Sequence, residues 1–181
     1  MMRKLLCLLL SIVLLGCSSP EVEHVNEASA SSTPEKNVEM ISLNPYSIDG
    51  AIALPGMASK GVEPSMSLND ITGVLDINVG RGFNIQLREE SQTISNLKTE
   101  WTMDPVWTYK VIEETDHHIL YSKRLPDGSM EQFHFMAVQG GDERKMVIRS
   151  SAMEEFEKVQ ALRMLESARS FTWINDLAQT K

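Results

Sequence analysis

The residues in this chain with the best claim to chemistry are its few histidines and paired acids. Asp116-His117-His118 is the cluster with metal-ligand residue types. Adjacent residues on a strand point to opposite faces, so a strand does not turn both rings onto one ion. A transition metal also wants at least ~3 good protein ligands, and no thiol or third histidine lies nearby in sequence. The pair is expected in a solvated turn between two strands, holding no metal. His134 sits between Phe133 and Phe135. Strand alternation turns it away from both phenyl rings, onto a more open face with Gln132, as a structural histidine.

Other catalytic signatures are missing. No serine lies in a G-x-S-x-G elbow and no H-E-x-x-H occurs. Gly80-Arg81-Gly82 lacks the third glycine and following helix of a dinucleotide site, so it reads as a turn. Glu89-Glu90, Glu113-Glu114 and Glu154-Glu155 are adjacent pairs whose side chains diverge, which suits solvated surface better than a general acid/base couple. Of the 11 methionines, Met130, Met136 and Met146 either line a soft binding surface or fill irregular core space. The chain is therefore expected to be non-catalytic, without cofactor.

The elements that would position these residues are mostly strands. Met40 to Leu54 reads as one strand with an irregular middle, ended by Pro55-Gly56, and residues 57–68 read as a loop. Val74–Val79 is a strand. After the glycine turn, Phe83, Ile85 and Leu87 alternate with Asn84, Gln86 and Arg88, the pattern of a half-buried strand. Ile94, Leu97 and Trp101 mark one face of a short helix from Ser91 to about Met103, stopped by Asp104-Pro105. Strands follow at Val106–Glu113, Ile119–Leu125, Met130–Val138 and Arg144–Arg149. Pro126-Asp127-Gly128 and Gln139-Gly140-Gly141-Asp142 supply tight turns, so these neighbours should be antiparallel. A long amphipathic helix closes the chain. It is predicted to start at a Ser151/Glu154 capping box and to bury Met153, Phe156, Val159, Leu162, Leu165 and Ala168 against the sheet, with Ala161, Met164 and Phe171 broadening the stripe.

The fold class expected is α+β: an antiparallel sheet covered by a C-terminal amphipathic helix and a shorter helix, in one domain over residues 40–181. Ser47-Ile48-Asp49-Gly50-Ala51-Ile52-Ala53-Leu54-Pro55 and Met164-Leu165-Glu166-Ser167-Ala168-Arg169-Ser170-Phe171, with this element order, resemble the PsbP-like fold. That resemblance implies an α/β/α sandwich over about residues 40–172. The tryptophan expected after the first strand is missing from Pro55-Gly56-Met57-Ala58.

The N-terminus speaks to location. Arg3 and Lys4 precede the apolar run Leu5–Leu15, which is shorter than the ~20 residues needed to span a bilayer core and suits a secretory signal. It closes on Leu14-Leu15-Gly16-Cys17-Ser18. This resembles the lipobox of bacterial lipoproteins, which implies cleavage after residue 16 and acyl chains on Cys17 as the lipid attachment site. By the same resemblance, Ser18 in place of an Asp favours the outer membrane. Residues 18–37, rich in Ser, Glu and Pro, read as a flexible tether between anchor and domain.

Composition limits the partners. The chain has 17 basic and 25 acidic residues, and loss of Arg3 and Lys4 with the leader deepens the imbalance. Phosphate backbones and anionic headgroups would repel such a surface, so no nucleic acid partner is expected and the acyl chains are the evident tie to the membrane. With Cys7 removed and Cys17 acylated, the domain keeps no thiol for a disulfide, zinc site or nucleophile. The sequence thus points to a lipid-anchored envelope protein, either a binding or assembly accessory to an envelope partner or a module for a small apolar ligand.

Overall fold

A computed structural model describes residues 40–55, 62–141 and 143–174. All belong to the compact unit Lys36–Lys181. The leader 1–16, the tether 17–39 and Cys17 lie outside the described residues. The chain is α+β; among the described residues it has one antiparallel sheet of seven strands, a second of three, and two α-helices.

The large sheet contains β3 (Ser65–Asn69), β4 (Val74–Asn78), β5 (Asn84–Glu89), β6 (Thr108–Glu114), β7 (His118–Arg124), β8 (Glu131–Gly140) and β9 (Lys145–Ser150). Their order across the sheet is β3-β4-β5-β9-β8-β7-β6. Its core is set by alternation. Ile85 and Leu87 of β5 are fully buried, side by side with Ile77 and Leu75 of β4. Gly80 and Gly82 both take positive φ, 63° and 77°, which turns the chain sharply between these strands. At the other hairpin, the Leu125 amide donates to the Met130 carbonyl at 3.1 Å around Pro126-Asp127-Gly128.

Each face of the sheet has its own cover. On one face, Leu120, Phe135, Met146 and Ile148 join the β4 and β5 residues under α2 (Lys158–Arg169) and the small sheet. On the other, Ile119, Met136, Val138 and Val147 pack under Ile94, Leu97 and Trp101 of α1 (Ile94–Met103). Thr93 caps α1, its side chain accepting from the Asn96 amide. Among the described residues no helix is long and apolar enough to cross a membrane.

Three sequence expectations need correction. First, Met40–Leu54 is not one strand. β1 (Met40–Ser42) and β2 (Gly50–Ala53) are antiparallel partners. The 3-10 turn Asn44–Tyr46 carries Pro45, and Ser47 takes φ 60°, so the chain reverses instead of continuing. β2 also pairs with β10 (Thr172–Trp173). Second, part of the expected loop 57–68 is β3, whose serines face solvent at the sheet edge and hide its period.

Third, α2 begins at Lys158, not Ser151. The Ser151 amide donates to the Asn84 carbonyl at 3.1 Å, and the Phe156 carbonyl accepts from the Phe133 amide at 3.0 Å. Those sheet contacts occupy backbone groups that a helix would need. The capping box is formed by Glu157 and Gln160. The predicted stripe holds at Phe156, Ala161, Met164, Leu165, Ala168 and Phe171 and fails at Met153, Val159 and Leu162, because a strict three-residue spacing drifts by about 60° per step around a helix of ~3.6 residues per turn. Val159 is 58% and Met153 92% exposed, and Leu162 is exposed too. Ala161, Met164, Leu165 and Ala168, at the true helical period, form the buried face.

Candidate functional site

The richest concentration of side-chain chemistry lies on the α1 face of the sheet. Strand parity puts Tyr109 of β6, Tyr121 and Lys123 of β7, His134 of β8 and Arg149 of β9 on this face. Tyr109 is paired with Lys123, Tyr121 with His134, and Met136 with Arg149. The last turns of α1 and the connection after it add Trp101 and Asp104. Together these groups bound a cleft of about 250 Å³.

Its walls are aromatic. The Trp101 and Tyr109 rings stack with centroids 4.8 Å apart and planes within 3°. Tyr121 lies 4.6 Å from Trp101 and 5.9 Å from the His134 ring. Phe156 meets His134 edge-on at 5.9 Å. Such contacts hold aromatic groups in place beyond their burial alone.

The polar groups are largely engaged. Asp104 accepts the Tyr109 hydroxyl at 2.5 Å and the Val106 and Trp107 amides at 2.8 and 3.2 Å. These donors hold its carboxyl below the usual range, the Tyr109 bond foremost. Tyr109 is pushed far up by burial and by that same bond. Burial raises Tyr121 to about 12. His134 is buried, with Nδ1 3.0 Å from the Ser150 hydroxyl and Nε2 3.4 Å from the Gln132 carbonyl. Burial, and secondarily the charge of Lys123, lower its pKa to about 4. Lys123 lies 4.9 Å over the Trp107 ring, its own pKa lowered by burial. Near neutral pH the tyrosines are therefore protonated and His134 is uncharged.

No protein family, no curated protein and no solved structure matches this chain. Its likenesses to lipoproteins and to the PsbP-like fold rest on the sequence motifs alone.

Two histidine expectations are corrected. His134 is only 2% exposed, because α1 and the segment before α2 close over a face expected to be open. His118 is not in solvent: it is buried as the first residue of β7. Its Nδ1 lies 2.9 Å from Thr115 Oγ1 and its Nε2 2.8 Å from Glu113 Oε1. This places a hydroxyl, an imidazole and a carboxylate in line. The Thr115 oxygen, however, also accepts the His117 and His118 amides at 3.2 and 3.1 Å, the bonding of a closed turn. His117 is exposed. Among the described residues no three His, Cys, Asp or Glu side chains are placed to hold a metal ion.

The other marked residues serve structure. Glu89 pairs with Arg144 at 2.9 Å, Glu90 with Arg88 at 3.5 Å and Glu114 with Lys98 at 3.0 Å. Met136 and Met146 are core residues on opposite faces. Met130 accepts the Gln132 amide through sulfur at 3.0 Å.

The sequence reading gave Trp101 to a helix face and passed over Tyr109, Tyr121 and Arg149. A signal existed. Once the Pro126-Asp127-Gly128 hairpin is accepted, counting outward sets Tyr121 beside His134 on one face.

Proposed function

We propose that this chain is a lipid-anchored protein of the bacterial envelope whose domain is a non-catalytic binding or assembly accessory. The observation that carries the anchor is the lipobox-like Leu14-Leu15-Gly16-Cys17 closing a basic and then apolar leader. Acyl chains on Cys17 are its tie to the membrane, and Ser18 favours the outer membrane. A single acyl chain anchors marginally, at ~0.8 kcal/mol per buried methylene, so two or three chains are needed for stable attachment. Nucleic acid is no partner for a surface this acidic.

The binding role is supported by the cleft under α1. Its tyrosines and histidine are fixed by stacking and hydrogen bonds in single protonation states, which suits recognition better than proton transfer. The aromatic walls favour a second reading, a module for a small, largely apolar ligand.

Fractionation after palmitate labelling tests the anchor. Cys17→Ser should lose both label and membrane attachment. A mutant still in the membrane fraction at high salt would refute the assignment. Cross-linking in the native envelope separates the roles: protein adducts without ligand favour assembly, and a copurifying small molecule favours the binder.

A further inference from the structure

Arg149 is the least explained group in the cleft. It sits on β9, the central strand of the seven, half-buried beneath α1. The other charged groups lining the cleft are engaged. Asp104 has three donors, Glu100 accepts the Gln92 amide at 3.0 Å, and Lys123 rests over Trp107. The Arg149 guanidinium has no hydrogen-bond or ion-pair partner among the described residues. A cation drawn partly out of water is usually paired, because its desolvation is otherwise uncompensated.

We propose that the cleft between α1 and the sheet binds a small planar organic carboxylate, gripped by Arg149 and set among Trp101, Tyr121 and His134. This rests on the binding reading above and names its ligand class. The guanidinium offers a planar fork that matches a carboxylate in two parallel hydrogen bonds. Tyr121 and His134 add no positive charge, and Lys123, the other cation of the lining, is held over the Trp107 ring, so Arg149 is the group that selects for the acid. The volume of about 250 Å³ lies below the ~300–1,000 Å³ of pockets for drug-sized molecules. One ring or a fused pair carrying one carboxylate fits that scale.

The test is calorimetric titration of the full chain, in a neutral detergent, with indole-3-carboxylate and its uncharged isostere indole-3-carboxamide. The acid should bind at one site at least ~10-fold more tightly than the amide, the scale of a charge-assisted bidentate pair. Arg149→Gln should bring the acid down to the amide's level, and Arg149→Lys should recover part of the difference. If Arg149→Gln does not fold, salt decides: raising ionic strength should weaken the acid and leave the amide unchanged. Equal binding of acid and amide, unaltered binding by Arg149→Gln, or no saturation by the acid up to millimolar concentration would overturn the proposal. The two readings fail separately. Palmitate labelling without carboxylate binding removes this site alone, whereas carboxylate binding by an unlabelled chain removes the anchor alone.

Discussion

Protonation of His134 should destabilise this domain from inside the cleft. The ring is 2% exposed, bonded to Ser150 and Gln132, and its pKa falls from 6.5 to about 4 in the folded chain. Because the folded value is the depressed one, the unfolded chain takes the proton first. Its contribution is therefore present above the unfolded pKa and is lost as pH falls from about 6.5 to about 4. At ~1.4 kcal/mol per pKa unit, the full loss is about 3 kcal/mol, of which about 2 kcal/mol appears between pH 7 and pH 5. That is a large part of a typical ~5–15 kcal/mol stability. The assay is urea unfolding of wild type and His134→Gln at both pH values. Wild type should lose about 2 kcal/mol more than the variant on acidification, since the other titrating groups are common to both. Carboxylates such as Asp104, held below their usual range, act at lower pH and stay out of this window. Parallel pH dependence in the two proteins would refute the reasoning and place the His134 ring in contact with water.

Phe156→Ala should destabilise the fold by about 3–5 kcal/mol, as expected for a buried ring, because Phe156 is 3% exposed within the core under α2; a loss below ~1 kcal/mol in urea unfolding would contradict that packing. Chelators should leave the melting temperature unchanged, as should zinc or copper in modest excess, because a ligand bound only by the folded state must raise it. A chelator-sensitive melt abolished in a His117→Ala, His118→Ala double mutant would instead make that pair a metal site.

Where local sequence and tertiary need agreed, the elements could be read directly. Phe83, Ile85 and Leu87 alternate because one face of β5 is buried and the other meets polar neighbours such as Asp76, whose carboxylate accepts from Gln86 at 2.8 Å. The turns at Gly80–Gly82 and Pro126–Gly128 carry their own backbone chemistry. Misreadings arose where distant partners decided. Ser151 and Glu154 look like a helix start, yet Asn84 takes the Ser151 amide and donates to the Glu154 carboxylate. The cleft was harder still. Tyr109, Tyr121, His134 and Arg149 come from four strands, and only the neighbouring order β9-β8-β7-β6 gathers them. No linear spacing encodes that Arg149 faces Trp101 and not the α2 core.

The most direct test of the proposed function is mass spectrometry of the N-terminal peptide from protein taken from its native envelope. The account predicts a chain that begins at Cys17, bearing a diacylglyceryl group on sulfur and commonly an acyl group on its new amine. A chain that retains residues 1–16, or one beginning elsewhere with an unmodified Cys17 thiol, would contradict it.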